Sequence, residues 1–183
     1  MAEQTQQVPE TSVIWLAGGC FWCMEAVFQQ VRGVLSVENG YANGDGRTVD
    51  YEAVCSGTTG YAEVVRLEFD PREIALEQIL AIFFTVHDPT SLNRQGADVG
   101  TQYRSGIYCA SEAQLNEVRA WVELARRHYD RPVVTELALV QDYQRAEDYH
   151  QDYFNQHPHQ GYCAMVVAPK VEKFRQVFAG WQR

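Results

Sequence analysis

The sequence predicts an α+β protein built as a two-layer α/β sandwich with an irregular C-terminal segment. Three observations lead there. Short β-branched runs interleave with amphipathic helical stretches, so a sheet and its helices must share a core. The connections include both tight Gly or Pro stops and one long polar loop. The chain has 183 residues, 46% hydrophobic and 21% charged, which supports one core without disulfide staples and excludes extensive disorder. Residues 1–11 read as a flexible polar tail and 12–183 as a single domain.

The elements follow in order. Residues 12–17 form a short apolar, β-branched strand that runs into Gly18-Gly19. A helix then begins near Cys20, because Met24, Val27, Phe28 and Val31 recur with helical spacing, and Gly33 stands where a stop is expected. Residues 34–41 read as a strand and 42–50 as a Gly/Asn/Asp loop. Residues 64–69 alternate apolar and charged, a half-buried strand that Asp70-Pro71 ends. Leu76, Ile79, Leu80 and Phe83 mark a second amphipathic helix reaching about His87. Residues 88–102 form a long polar loop of the kind that usually serves function. A strand at 107–109 precedes Ser111 and Gln114, a capping-box pair opening a helix to about His128. Residues 133–140 read as a strand and 146–154 as a short helix. From His157 the chain is irregular, apart from a last helix at 171–178. Periodicity alone does not fix the strand order.

A net charge of −9 disfavours wrapping a nucleic-acid backbone or lying on an anionic membrane. No apolar run approaches the roughly 18 residues of a bilayer span. The N-terminal residues lack the basic and apolar regions of a signal peptide. Leu16 to Cys20 imitates a lipoprotein box, but Leu16 lies one residue too far from the cysteine. The expected compartment is therefore a reducing cytoplasm, where disulfides are usually catalytic. Five cysteines, an odd number, also argue against a complete structural disulfide framework.

The sharpest local feature is Gly18-Gly19-Cys20-Phe21-Trp22-Cys23. A cysteine between a strand and a helix meets free backbone N–H groups that favour a thiolate, so a lowered Cys20 pKa is expected. Phe21 and Trp22 would wall the thiol with apolar surface and one indole donor. The spacing Cys20-x-x-Cys23 leaves three readings open: a thioredoxin-like redox pair, half of a zinc site, or a papain-like nucleophile. Taken alone, Glu63 reads as a solvated edge residue, Tyr51 and Tyr103 as core edges, and Asp98 as a turn former. Cys55 and Cys109 read as structural thiols. His150, His157 and His159 read as surface or packing residues, and Glu147-Asp148 as a solvated helix face.

A larger pattern joins these pieces. Gly-Cys-Phe-Trp at 19–22 and Gly40-Tyr41 are followed by Tyr51-Glu52-x-Val54-Cys55-Ser56-Gly57-x-Thr59-Gly60 and Ala62-Glu63. His87-Asp88-Pro89, Asp98-x-Gly100-Thr101-Gln102-Tyr103-Arg104-Ser105 and Gly161-Tyr162-Cys163 complete the series. In this order and over about residues 12–165, the chain resembles the type A peptide methionine sulfoxide reductases. The resemblance implies a ferredoxin-like core, with 12–183 as the catalytic domain. It also implies reduction of the S epimer of methionine sulfoxide, free or in oxidised proteins, with thioredoxin as electron donor and no metal or organic cofactor. A cytoplasmic monomer is expected.

By the same resemblance Cys20 is the nucleophile, Phe21 and Trp22 hold the substrate methyl group, and Glu63 is the acid. Tyr51 and Tyr103 bind the sulfoxide oxygen, Asp98 is a polar pocket residue, and Cys163 resolves. Two positions depart from the family: Cys23 stands where Gly is usual, and Tyr61 where His is common. The chemistry fits these roles, because a sulfoxide sulfur is a poor electrophile until its oxygen is protonated or hydrogen-bonded. Burial among aromatics would keep Glu63 protonated, and tyrosine hydroxyls would meet charge developing on oxygen. Loss of methionine leaves a sulfenic acid that a second thiol condenses to a disulfide. Cys163, on its irregular segment, is expected to resolve first, with Cys23 then exchanging with that disulfide. Two alternatives stand beside this reading: a general thiol-disulfide oxidoreductase, and a zinc-stabilised interaction module using Cys20, Cys23 and Cys163.

Overall fold

In a computed structural model, residues 11–183 are described, so all of the expected flexible tail but Thr11 lies outside the described residues. The strands are β1 (Ser12–Gly18), β2 (Val34–Ala42), β3 (Ala62–Phe69), β4 (Arg94–Gln95), β5 (Asp98–Val99), β6 (Ser105–Cys109), β7 (Glu136–Leu139) and β8 (Gln144–Arg145). The helices are α1 (Phe21–Phe28), α2 (Tyr51–Cys55), α3 (Leu76–Val86), α4 (Glu112–Ala125), α5 (Tyr153–Gln156) and α6 (Ala168–Val177). Six strands form one sheet in the order β7-β6-β1-β3-β2-β8, and β4 pairs with β5 as a separate hairpin. All neighbours in the large sheet are antiparallel except β6 and β7. α1 carries the chain from β1 across β3 to β2, and α3 carries it from β3 across β1 to β6, so two β-α-β units interleave.

The alternation of β1 shows why the layers form. Ile14 and Leu16 point into the large core that α1, α3, α4 and α6 share, whereas Trp15 and Ala17 face the opposite side with Val64 and Tyr108. Each fully buried aliphatic or aromatic side chain contributes roughly 1.5–3 kcal/mol. This is a mixed α/β sandwich around a central sheet, with β1 in its middle. The C-terminal end of β1 therefore opens onto the helical layer, where Gly18-Gly19-Cys20 turns into α1.

Several expectations are corrected. Gly33 is not the stop of the first helix: α1 ends at Phe28, with Gln29 as its C-cap. The loop at 88–102 contains the β4–β5 hairpin and a 3-10 turn at Thr101–Tyr103. The helix expected over 146–154 breaks into a 3-10 turn at Asp148–His150 and the short α5. A carboxylate from α1 holds the chain at that break. Glu25 of α1 accepts the N–H groups of Asp152 at 2.8 Å and Tyr153 at 3.0 Å, with Asp152 at φ +55°. The C-terminal segment is less irregular than expected, because Cys163–Val167 forms a π-helical turn that leads directly into α6. The capping box is only half as drawn: Ser111 accepts the N–H of Gln114, but Gln114 reaches back to Ala110.

Candidate active site

The site starts from backbone geometry. Gly19 takes φ +91°, a conformation open to glycine, and a Cβ there would lie 2.8 Å from the Gln95 side chain. A Cβ on Gly18 would meet the Phe83 ring at 2.8 Å and His87 at 3.2 Å. With both side chains absent, the chain turns tightly and delivers Cys20 as the N-cap of α1. Cys20 is 8% exposed as a residue, and Phe21 next to it is buried.

The expected lowering of the Cys20 pKa is reversed. Burial pushes the thiol well above its ordinary value, and the hydrogen bond with Cys23 and the nearby Glu63 act in the same direction. The helix N-terminus does act, through the Trp22 N–H, but desolvation outweighs it. The Cys23 thiol moves the other way, to about 7, chiefly because it accepts the Cys20 hydrogen bond.

Glu63, near the start of β3, is 1% exposed. Its Oε1 accepts the Phe21 N–H at 3.2 Å, and its Oε2 is buried without a partner. Burial raises its pKa to about 8, with the charge of Asp98 adding to the effect. Glu63 is thus a neutral acid at pH 7, with a carboxyl hydrogen to donate. Tyr51 opens α2, where its backbone N–H is held by Glu147 Oε2 at 3.2 Å. Burial first and the charge of Glu63 second raise the pKa values of both Tyr51 and Tyr103. Both remain neutral O–H donors. The Cys55 thiol, expected to be merely structural, lies close enough to Tyr51 and Tyr103 to feel them, and burial raises its pKa.

Aromatic rings close the other side. Phe21 stacks on Tyr51 with centroids 6.4 Å apart. Trp22 lies flat on Tyr153, 3.8 Å away at an interplanar angle of 4°. Its indole N–H donates to His150 Nδ1 at 3.2 Å. An indole is only a donor, so Nδ1 must accept and the neutral ring carries its proton on Nε2. Burial lowers the His150 pKa in agreement. His150 is a central packing piece, 4.3 Å from Tyr51 and 5.2 Å from Phe21.

Asp98, in the β4–β5 hairpin, accepts the Tyr162 hydroxyl at 2.6 Å. The same hydroxyl lies 3.9 Å from Cys23 Sγ, and the Tyr162 ring meets the edge of Trp22. Cys163 is fully buried, and the neighbouring Cys23 adds to the effect of burial in raising its pKa.

The structure therefore brings Cys20, Phe21, Trp22, Cys23, Tyr51, Glu63, Asp98 and Tyr103 into one neighbourhood, with Cys163 near Cys23. Sequence reasoning passed over His150, Glu147, Tyr153 and Glu25 as parts of it. Tyr162 figured in the resemblance, but without a role. Glu147 is not a solvated face residue: it accepts the hydroxyl of Tyr41 at 3.0 Å as well as the Tyr51 N–H. Among the described residues no group of three His, Cys, Asp or Glu side chains is arranged to hold a metal, which leaves the zinc module without a ligand set. No helix among the described residues is long and apolar enough to cross a membrane.

Known proteins resemble the chain over most of its length. The family described as "Peptide methionine sulfoxide reductase" matches residues 12–182. A peptide methionine sulfoxide reductase MsrA of Ralstonia nicotianae is 53% identical, covering 95% of this chain and 93% of its own length. The reduced form of Mxr1 from Saccharomyces cerevisiae superposes with a TM-score of 0.80 at 33% identity, over 89% of this chain and 95% of that one. Mxr1 in complex with Trx2 shares the fold at a TM-score of 0.58 and 24% identity, over 82% of this chain and 91% of that one. With the family matched over residues 12–182 and a relative at 53% identity along nearly the whole chain, the chain belongs to the peptide methionine sulfoxide reductase family.

Proposed function

We propose that this protein reduces the S epimer of methionine sulfoxide, free or in oxidised proteins, and that thioredoxin restores it. The observation that carries the reading is Glu63: a buried, neutral carboxyl with one unpartnered oxygen, beside a cysteine turn walled by aromatic rings. Such a donor suits an oxygen that must gain a proton as its bond to sulfur breaks.

Phe21 and Trp22 take the substrate methyl group, and Tyr51, Tyr103 and Glu63 hydrogen-bond the sulfoxide oxygen. Asp98 keeps Tyr162 in place against the pocket. Cys20 rests as a thiol, so its proton leaves only when the polarised sulfoxide is present. Its sulfur attacks the sulfoxide sulfur, oxygen passes to Cys20 as sulfenic acid, and methionine departs with the electron pair. The exchange is balanced: a thiol and a sulfoxide become a sulfenic acid and a thioether, with no prosthetic group involved.

A second thiol then expels water to form a disulfide. Segment mobility alone favoured Cys163 as the first to attack. Placement within one helical turn favours Cys23 instead: its backbone N–H donates to the Cys20 carbonyl at 3.1 Å, and its thiol lies near Cys163. We propose the relay Cys20–Cys23, then Cys23–Cys163, with thioredoxin taking up the final disulfide. A general thiol-disulfide oxidoreductase has no departing oxygen to protonate, so reduction of a sulfoxide is what separates the two readings.

The strand order and interleaved β-α-β units support a ferredoxin-like core, with 12–183 acting as one catalytic domain in a cytoplasmic monomer. The test is turnover of the two separated sulfoxide epimers with thioredoxin, thioredoxin reductase and NADPH. Reduction of the S epimer alone supports the proposal. Equal rates on both epimers, or reduction of insulin disulfides without any sulfoxide activity, would overturn it.

A further inference from the structure

The reactive turn borders a cavity that shares only Asp98 and Tyr162 with the sulfoxide site. A volume of about 500 Å³ opens between the end of α3, the β4–β5 hairpin and one face of the C-terminal helical stretch. It adjoins the site on two sides. Gln95, in its wall, packs over Gly19, and Tyr162, also in its wall, reaches Cys23 and Trp22.

Lys170 and Lys173 are the only lysines in a chain of net charge −9, and both line this cavity. Tyr162, Val166 and Lys170 follow at i, i+4 and i+8, so one helix face presents them together. The acids in the walls already have donors. Asp98 accepts the Tyr162 hydroxyl, and Asp88 accepts Thr90 and pairs with Arg131 at 3.4 Å. His87 is neutral, because burial pushes its pKa down to about 4. Neither lysine makes a hydrogen bond or ion pair among the described residues.

Resting on the sulfoxide-reductase reading, we propose that this cavity receives the polypeptide flanking the oxidised methionine, and that Lys170 and Lys173 favour segments carrying Asp or Glu near the sulfoxide. Consecutive Cα atoms are about 3.8 Å apart, so a residue two or three positions from the methionine lies within reach of the cavity. The reduced state is the one that accepts substrate, and in it the Cys20 turn meets the cavity. Cys23 and Cys163, which a reductant must reach, are fully buried.

The test is single-turnover reduction, without thioredoxin, of three substrates: N-acetylmethionine sulfoxide, and two pentapeptides with central methionine sulfoxide flanked by Glu or by Lys. Each peptide rate is divided by the same protein's rate on N-acetylmethionine sulfoxide. Two partly exposed ion pairs predict a roughly 3- to 30-fold preference of wild type for the Glu peptide. The preference should disappear in Lys170→Ala/Lys173→Ala and invert in Lys170→Glu/Lys173→Glu. A wild-type ratio near one, or a preference that survives both double variants, overturns the proposal. A defect confined to thioredoxin-driven steady-state turnover also overturns it and assigns the cavity to the reductant. Failure to reduce N-acetylmethionine sulfoxide at all would instead remove the reductase reading beneath it.

Discussion

Replacing Glu63 with Gln separates two consequences of one buried carboxyl. The substitution keeps shape and keeps an acceptor for the Phe21 N–H, but removes the ionisable proton. In the folded chain the Glu63 pKa is about 8, against 4.5 for an ordinary glutamate. Between these values the folded state holds a proton that the unfolded state has lost, so stability declines as pH rises through this window. At 1.36 kcal/mol per pKa unit, the cost is about 3 kcal/mol at pH 7 and about 5 kcal/mol by pH 9 as an upper figure. Below about pH 4.5 both states are protonated and the contribution vanishes. Glu25, whose pKa burial raises to about 7, titrates in the same window, but it does so in both proteins and cancels from the comparison. Urea unfolding at pH 5, 7 and 9 should therefore show Glu63→Gln gaining on wild type as pH rises. Single-turnover sulfoxide reduction by the same variant should slow by roughly 10² to 10⁴. Parallel stability curves together with less than a twofold change in rate would refute a neutral, donating Glu63.

Other perturbations probe the walls and the relay. Tyr153→Ala removes the ring stacked on Trp22 and should raise KM for methionine sulfoxide roughly 2- to 10-fold with kcat nearly constant, read from steady-state kinetics. Gly19→Ala places a Cβ 2.8 Å from Gln95 at a φ of +91° and should destabilise the fold by roughly 1–3 kcal/mol, measured by urea unfolding. After one equivalent of sulfoxide, peptide mapping of Cys163→Ser should find a Cys20–Cys23 disulfide, and Cys23→Ser should accumulate Cys20 sulfenic acid before any slower Cys20–Cys163 link.

Much of the fold was legible because its signals are local. β1, the start of α1, α3 and α4 each announce themselves through period, a glycine turn or a cap within one segment. The nucleophile turn belongs to the same class: Gly19, Cys20, Phe21 and Trp22 are consecutive. What sequence could not supply are groups whose role depends on a distant partner. Trp22 and His150 are 128 positions apart, as are Glu25 and Tyr153. No periodicity marks either pair, and the acid Glu147 reads as a surface residue until Tyr41 and Tyr51 are placed beside it. The Cys20 pKa failed for a related reason. The helix N-terminus is visible in sequence, whereas the burial that outweighs it arises only when remote segments pack together.

The central claim is that Cys20 itself takes the sulfoxide oxygen. The most direct measurement is a single turnover of excess enzyme with N-acetylmethionine S-sulfoxide, in the absence of thioredoxin, comparing wild type with Cys20→Ser. Wild type should release the thioether in full and lose two free thiols for each thioether released, and Cys20→Ser should release none. Release of the thioether by Cys20→Ser at the wild-type rate would contradict the account.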